Sequence, residues 1–329
     1  MLSLVKDIKL SFIQRKLLVW TFKISILFFS WRYMYQQAFV KGNLDLVAKS
    51  YKEIFSGSHI YLFIFNVILI FVNWGLESYK WRFMLKKVEK ISMLTSIKAI
   101  FTGLTVSFFS PNRMGEFGGR VLYLQTDRLK GSVITILCNM SQLLITLIAG
   151  ALALLFYSKK LTNIDPLLVE LIMYLSLASM LICILVFLYP SLILALIFKL
   201  GLRGRKVHFL SVLKKYSKKD QLYSMWLSLL RYFVFSLQFY FMLKIFNVDI
   251  PFFVGLEHIA LTYFVVTAVP TMALSEIGVR GSTALYFLGG FTSNPINVVS
   301  ASLTVWVINL VIPAILGSFF LISQKIDRE

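Results

Sequence analysis

The sequence predicts an all-α polytopic membrane protein with about six transmembrane helices, two broken re-entrant hairpins and an inverted repeat of two halves. Three observations predict this class. The 329 residues are 58% hydrophobic and 15% charged, with a mean hydropathy of +0.78, whereas soluble domains carry about 25% charged residues. Apolar runs long enough to cross a bilayer recur along the chain, and two shorter runs break at proline. A short motif that joins glutamate, glycine and arginine occurs once in each half.

Six apolar runs reach the roughly 20 residues that a helix needs to cross the hydrocarbon core. They cover residues 18–40, 59–79, 132–157, 168–198, 222–246 and 296–322. The first run is longer than the apolar part of a signal peptide and lacks a small-residue cleavage site, so we expect a retained anchor. The whole chain, 1–329, is then one integral membrane domain. The end of the second span is expected to form an interfacial belt, in which Asn73, Trp74 and Glu77 lie beside Tyr79, Trp81 and Arg82.

Two shorter apolar runs, 97–110 and 253–269, break at prolines and resume in glycine-containing sequence. Short interrupted segments are typical of re-entrant hairpins. If both segments return to their starting side, most lysines and arginines lie on one side of the membrane, as the positive-inside rule requires. If both crossed, the basic loop 199–221 would lie outside. We therefore expect six crossings of the cell membrane, with both termini in the cytoplasm.

The two halves, 1–160 and 161–329, repeat one pattern of helix, helix, broken segment and helix. Within the broken segments, residues 116–120 and 276–280 share the pattern Glu-apolar-Gly-x-Arg. Three crossings per half is an odd number, so the second half must enter the membrane from the opposite side. Inverted repeats of this kind are common in secondary transporters, whose substrate site lies between the halves.

Ionisable residues in the broken segments are the strongest candidates for a substrate site, because charge at membrane depth is costly and faces a cavity or a partner. The substrate-binding candidates are Arg113, Glu116, Arg120, Glu276 and Arg280. A spacing of four residues allows each Glu–Arg pair to form on one helix face. An arginine beside a helix start also suits a phosphate or carboxylate. Two interpretations stay open: ion pairs that pin the hairpins, or a site where a lipid phosphate competes for the arginines.

The positions of the breaks in the two short apolar runs are predicted from proline and glycine residues. The hairpin-forming candidates are Pro111, Gly115, Gly118, Gly119, Pro270 and Gly278. Ser110 and Ser275 are expected to be N-caps of half-helices, with Pro111 at the first helical position of one. Glycine at these positions would let a backbone or a head group approach closely.

Three further polar residues, Arg231, Glu257 and His258, are weaker candidates for lining a cavity. A structural role is the alternative for each of them. Arg231 could instead bind a nearby carbonyl or Glu257. Glu257 and His258 could form a satisfied polar pair rather than couple transport to protons.

Catalytic and metal-binding patterns are not found in the sequence. Cys138 and Cys183 lie inside apolar runs and provide neither a disulfide framework nor a metal cluster. There is no H-E-x-x-H motif, glycine-rich phosphate loop or Ser/His/Asp set. We therefore expect no enzyme activity, no cofactor and no metal. The excess of 34 Lys and Arg over 15 Asp and Glu is expected to set topology and contact anionic lipid, not nucleic acid.

Two segments resemble the lysylphosphatidylglycerol synthase/flippase transmembrane-region family. The stretch SFFSPNRMGEFGGR, from Ser107 to Arg120, is similar to the hallmark Pro-x-Arg-x-Gly-Glu of that family. Pro270 and Gly278-Val279-Arg280 resemble its later Pro…Gly-Val-Arg-Glu segment. The family commonly places glutamate directly after that arginine, whereas Gly281 stands here and Glu276 supplies the acid one helical turn earlier.

The resemblance implies a lipid transporter. In multidomain members this region is thought to move aminoacylated or glycosylated lipids across the bilayer, while a separate domain makes them. Because the sequence ends at Glu329, soon after its last apolar run, we expect the translocating part without a synthase domain. The expected partners are membrane lipids with anionic head groups. The alternative function is a non-transporting scaffold for a separately encoded lipid synthase or glycosyltransferase.

Overall fold

A computed structural model describes most of the chain. The described residues are 32, 48, 51–52, 57, 59–108, 110, 113–158, 165–190, 205–270 and 273–323. This part of the chain is helical and contains no strand. The predicted span 18–40, apart from Arg32, and the predicted hairpin residue Pro111 lie outside it.

The α-helices are labelled α1 to α10 in chain order. They are α1 (Ile60–Leu85), α2 (Met93–Phe108), α3 (Gly115–Val121), α4 (Arg128–Tyr157), α5 (Pro166–Leu188), α6 (Lys218–Ile245), α7 (Phe252–Ala268), α8 (Ala273–Leu288), α9 (Pro295–Trp306) and α10 (Ile312–Ser323). A 3₁₀ segment, Arg205–Lys215, precedes α6. A π-helical stretch at Val307–Val311 joins α9 and α10 into one helix.

Within the described ranges, five helices are long and apolar enough to cross a membrane: α1, α4, α5, α6 and the joined α9–α10. They correspond to five of the six predicted spans, and the sixth lies outside the described residues. The prediction of an all-α, multi-pass membrane protein is confirmed.

Capping residues set the helix starts, which hydropathy alone does not locate. The Asp127 side chain accepts the Lys130 N–H, so α4 begins at Arg128, ahead of the predicted residue 132. A capping box between Ser217 and Asp220 likewise begins α6 before the predicted residue 222.

The helix ends also differ from the prediction. Helix α5 ends at Leu188, because the following Tyr189 precedes a proline and cannot easily stay helical. Residues 191–198 of the predicted span lie outside the described residues. Helix α1 runs on to Leu85 rather than stopping near 79. Because of these added turns, the midpoint of α1 is near Asn73. Asn73, Trp74 and Glu77 therefore lie within the span and not at its end.

Each broken segment folds into a helical hairpin: α2 packs on α3 in the first hairpin, and α7 packs on α8 in the second. In the first, the Glu89 carboxylate accepts the Thr126 N–H at 3.0 Å, so the chain returns to the level at which it started. In the second, the rings of His258 and Phe291 are 5.2 Å apart, which places the beginning of α7 beside the end of α8. Both hairpins therefore begin and end at the same level, as re-entrant segments do.

Corresponding helices of the two halves pack against each other. Spans α1 and α6 are antiparallel, since Asn73 binds Arg231 near their midpoints and Lys87 pairs with Asp220 at one end. Around them, α2 packs on α10 and α7 packs on α4. Each hairpin thus contacts the last span of the other half, as two inverted halves would arrange them. The predicted boundary at residue 160 lies outside the described residues.

Two apolar clusters fill the spaces between the helices. One lies around Trp81, Met84 and Ile134, and the other around Phe239, Leu243 and Ile259. Because lipid tails are as apolar as these side chains, close packing rather than transfer from water holds such helices together. Trp306 of the first cluster and Val305 of the second both line the central cavity.

Candidate functional site

A cavity of about 540 Å³ lies at the centre of the helices. Four spans each contribute a polar side chain from near the helix midpoint: Asn73 of α1, Gln142 of α4, Arg231 of α6 and Asn309 of the joined α9–α10. The midpoint of a spanning helix lies near the bilayer midplane. The cavity is therefore at membrane depth.

Both hairpin tips reach the cavity. Arg113 comes from the tip of the first hairpin, and Val269 and Pro270 come from the tip of the second. Glu276 and Arg280, from the first turns of α8, complete the charged lining. The cavity walls also contain the apolar side chains Trp74, Phe235, Val266, Val305, Trp306 and Leu310.

Glu276 links the two hairpins. It accepts a hydrogen bond from Arg113 at 2.7 Å and another from Arg280 at 2.8 Å. The pairing of Glu276 with Arg280 at a four-residue spacing is as predicted. Three of the predicted substrate-binding residues thus meet in one cluster at the cavity.

Arg113 adopts a left-handed backbone conformation, with φ of 57°. This conformation costs a residue other than glycine about 1–2 kcal/mol. Such residues cluster at functional sites, where surrounding contacts hold them. Here the ion pair with Glu276 holds the Arg113 side chain at the cavity.

The other predicted pair, Glu116 and Arg120, forms beside the cavity and does not line it. The two side chains bind each other at the predicted four-residue spacing. Glu116 also accepts a hydrogen bond from Asn139 at 3.0 Å. Arg120 is 1% exposed, and its guanidinium lies 5.9 Å from the Trp81 ring centre.

Glu77 is the centre of a buried ionic network that the sequence analysis missed. Its carboxylate lies 2.9 Å from Lys80, 2.9 Å from Arg120 and 3.1 Å from Arg231. Glu77 is 1% exposed, so its predicted place in an interfacial belt is wrong. Since α1 extends to Leu85, Glu77 lies well inside the span, and a carboxylate at that depth in an apolar run was the signal for it.

Arg231 joins this network to the cavity, which it lines. It donates to the Asn73 amide oxygen at 2.8 Å and lies 3.4 Å from the Gln142 amide oxygen. Asn73 in turn donates to Asn309 at 2.8 Å. Single amides inside apolar runs were the sequence signal for Asn73, Gln142 and Asn309. A π-helical stretch contains Asn309, and Pro313 four residues later has no N–H to bind its carbonyl.

The predicted hairpin glycines have different surroundings. A Cβ on Gly119 would lie 2.7 Å from the Cα of Gly103, and one on Gly115 would lie 2.5 Å from the Val106 carbonyl oxygen. These two glycines let α3 approach α2. A Cβ on Gly118 would meet nothing within 4 Å. Gly278 is buried in α8.

The predicted half-helix starts are wrong in both hairpins. Helix α3 begins at Gly115, whose N–H donates to Ser110 Oγ at 2.7 Å, so Ser110 binds the helix start from outside it. Helix α8 begins at Ala273, so Ser275 is inside the helix and not at its cap. Helix α3 thus begins later than predicted, and α8 begins earlier.

Glu257 and His258 lie away from the cavity. His258 contacts the Val254 carbonyl through Nδ1 at 2.8 Å and packs its ring 5.4 Å from that of Tyr157. Tyr157 is the last residue of α4, whereas the cavity is at the middle of that helix. Within the described residues, no group of three His, Cys, Asp or Glu side chains could hold a metal ion.

Comparison with known proteins identifies the family. The sequence profile described as the transmembrane region of lysylphosphatidylglycerol synthase matches residues 44–317, which include both hairpins and the whole cavity lining. Comparisons with curated proteins and with solved structures give no match. The chain therefore belongs to the lysylphosphatidylglycerol synthase transmembrane-region family.

Proposed function

We propose that the protein is a lipid flippase that moves an anionic lipid across the cell membrane. The head group would occupy the central cavity while the acyl chains stay in the bilayer. One observation carries this proposal: the cavity holds three arginines, Arg113, Arg231 and Arg280, against the single carboxylate of Glu276.

The depth of these arginines supports a transport role. A lipid head group meets its greatest barrier at the bilayer midplane, where charged groups lose their hydration. Guanidinium groups bind phosphate through paired hydrogen bonds and are less strongly hydrated than ammonium groups. A cationic cavity at the midpoints of four spans therefore lowers the barrier where it is highest.

The ion pairs supply a means of opening. In the empty protein, Glu276 holds Arg113 and Arg280 together across the two hairpin tips. A lipid phosphate would compete for these arginines and release the link between the tips. Rocking of the two inverted halves would then expose the cavity to each side in turn.

The positions of the basic residues predict how the protein is oriented in the membrane. The end of α1, the loops of the first hairpin and the start of α6 meet at one end of the molecule, where Lys87 pairs with Asp220 and Glu89 binds Thr126. This end carries Lys86, Lys87, Lys90, Lys98, Arg128, Lys130, Lys214, Lys215, Lys218 and Lys219. By the positive-inside rule it faces the cytoplasm.

Flipping can be measured directly in proteoliposomes that contain phosphatidylglycerol labelled on an acyl chain with a dithionite-sensitive dye. The wild-type protein should expose inner-leaflet label, and Arg231→Gln should lower the rate at least tenfold. The control is Arg128→Gln, which removes an exposed arginine at the start of α4. The same assay is run with labelled phosphatidic acid. Absence of flipping of both lipids by the folded wild type would contradict transport and favour a scaffold that presents lipid to a separate lipid-modifying enzyme.

A further inference from the structure

The buried charges around the cavity do not balance. The ion pairs form two clusters, one of Glu77 and Glu116 with Lys80, Arg120 and Arg231, the other of Glu276 with Arg113 and Arg280. Each cation contacts a carboxylate, but each cluster holds one cation more than it holds carboxylates, so the two together carry an excess of two positive charges. Uncompensated charge at membrane depth is costly unless water or a ligand of opposite sign meets it.

In the part of the chain that the structure describes, the other carboxylates in ion pairs bind lysines outside these clusters. Glu257 interacts with Tyr157 at the end of α4, and the helix rise places that end roughly 22 Å from Gln142 at the cavity. Among the described residues, the excess positive charge thus belongs to the residues around the cavity.

Unused hydrogen-bond donors belong to residues that line the cavity. The indole N–H groups of Trp74 and Trp306, the amide nitrogen of Gln142 and the Arg280 Nε are buried without a hydrogen-bond partner. All four residues line the cavity. The Gln142 oxygen faces Arg231, so its amide nitrogen is left to donate. Both tryptophans are 7% exposed. Buried donors without acceptors are rare, and they call for an acceptor-rich ligand.

We infer that the head group bound in the cavity ends in a phosphomonoester, which carries close to two negative charges, and not in a singly charged phosphodiester. This inference rests on the proposed function and narrows its substrate class. A phosphomonoester has a second pKa near 6 and about −1.5 to −2 charges at neutral pH, with three acceptor oxygens. That charge matches the excess of two positive charges in the two clusters, and the three oxygens would accept hydrogen bonds from the unused donors.

The test compares ligands that differ only in the head group. Binding to the purified full-length protein is followed at pH 8 through tryptophan fluorescence, since Trp74 and Trp306 line the cavity. The probes are phosphatidic acid, phosphatidylglycerol and phosphatidylcholine with identical acyl chains, and glycerol 3-phosphate as the soluble monoester. Phosphatidic acid should bind at least tenfold more tightly than phosphatidylglycerol, and phosphatidylcholine and glycerol 3-phosphate should bind more weakly than both.

A variant separates recognition of charge from loss of structure. Arg231→Gln removes one positive charge, so the preference for phosphatidic acid over phosphatidylglycerol should fall toward one. If the role of Arg231 is purely structural, the substitution should weaken the binding of both lipids by the same factor and leave the ratio of their affinities unchanged. Arg128→Gln, at an exposed position, should keep both the affinities and the ratio.

Each contrary result has a distinct meaning. Equal binding of phosphatidic acid and phosphatidylglycerol, both above phosphatidylcholine, would overturn the phosphomonoester inference and leave the proposed transport of anionic lipids intact. Equal binding of all three lipids would overturn both proposals. Binding of glycerol 3-phosphate as tightly as phosphatidic acid would identify a soluble phosphate ester as the ligand and overturn the lipid source.

Discussion

Arg113 at the tip of the first hairpin donates a 2.7 Å hydrogen bond to Glu276 in the first turn of α8. The two residues are 163 positions apart in the sequence and belong to opposite halves of the predicted repeat. Because the bond joins the two tips at the cavity, the tips cannot separate unless it breaks or a ligand replaces it. Glu276 also binds Arg280, so one carboxylate restrains two of the cavity arginines.

Neutralising Glu276 should therefore strengthen anion binding and lower the stability of the ligand-free protein. In Glu276→Gln, both arginines lose their counter-charge, and removal of one partner of a buried pair costs about 3–5 kcal/mol. We expect a lower thermal midpoint in zwitterionic lipid, together with tighter binding of anionic lipid, which should restore that midpoint. Thermal unfolding with and without phosphatidylglycerol measures this effect.

The matched control for this experiment is Glu170→Gln, which neutralises an exposed carboxylate on α5. It should change neither the midpoint nor its dependence on lipid. An equal midpoint shift by anionic lipid in wild type and Glu276→Gln would argue against competition at Glu276.

Glu116→Gln should fold and yet alter transport. The glutamine keeps an oxygen for the bond from Asn139, and Arg120 keeps Glu77 as a partner. The lost charge loosens the hold on Arg120, so the balance between open and closed hairpins should shift. The flipping assay and thermal unfolding should be run on the same preparation. An unchanged flipping rate would count against a gating role for this pair.

Local sequence patterns predicted the hairpins and the two Glu–Arg pairs, because both depend on residues close together in the chain. A four-residue spacing on a helix fixes which side chains can meet. The pairs Glu116–Arg120 and Glu276–Arg280 follow directly from it.

Long-range partners could not be predicted in this way. Glu77 meets Arg120 from 43 positions away, and nothing in either local sequence specifies the contact. For the same reason Arg120 was predicted to bind substrate, although it lies beside the cavity. Arg231, the weaker candidate, lines the cavity. Both are arginines inside apolar surroundings, and only the rotation of each helix in the packed structure distinguishes them.

Glu77→Gln should be the most destabilising of the carboxylate substitutions. This side chain is the shared partner of Lys80, Arg120 and Arg231, so its neutralisation leaves three cations with less compensation. We expect a loss of at least about 3–5 kcal/mol of stability, visible as a lower thermal midpoint than that of Glu116→Gln.

A second substitution tests whether charge causes this loss. Lys80→Met removes one of the three cations, so the double variant Glu77→Gln, Lys80→Met should be more stable than Glu77→Gln alone. Coupled neighbours give such non-additive effects. Additive losses in the double variant would show that packing, and not charge balance, is disturbed.

Gly119→Ala should separate the two helices of the first hairpin. The added Cβ would lie 2.7 Å from the Gly103 Cα and 3.0 Å from the Thr102 carbonyl oxygen. Backbone atoms cannot rotate away as a side chain can, so we expect a loss of about 1–3 kcal/mol, together with slower flipping. The thermal midpoint and the dithionite assay measure the two effects.

The adjacent residue provides the control. A Cβ on Gly118 meets no atom within 4 Å, and alanine is favoured over glycine in a helix by up to about 1 kcal/mol. Gly118→Ala should therefore be neutral or stabilising. If both alanine variants lose stability equally, the close approach of α2 and α3 at Gly119 is not what the substitution disturbs.

Labelling of single cysteines should place Thr126 on the cytoplasmic side and Ser293 on the opposite side. Both residues are exposed, and Thr126 lies beside Glu89 because the first hairpin returns to its starting level. The experiment needs a background without Cys138 and Cys183, followed by Thr126→Cys or Ser293→Cys. A membrane-impermeant maleimide applied to whole cells should then label only the second variant, and lysis should expose the first. Thr126 is the decisive position, because a hairpin that crossed the bilayer would carry it outside; labelling of Thr126→Cys in intact cells would contradict the re-entrant fold.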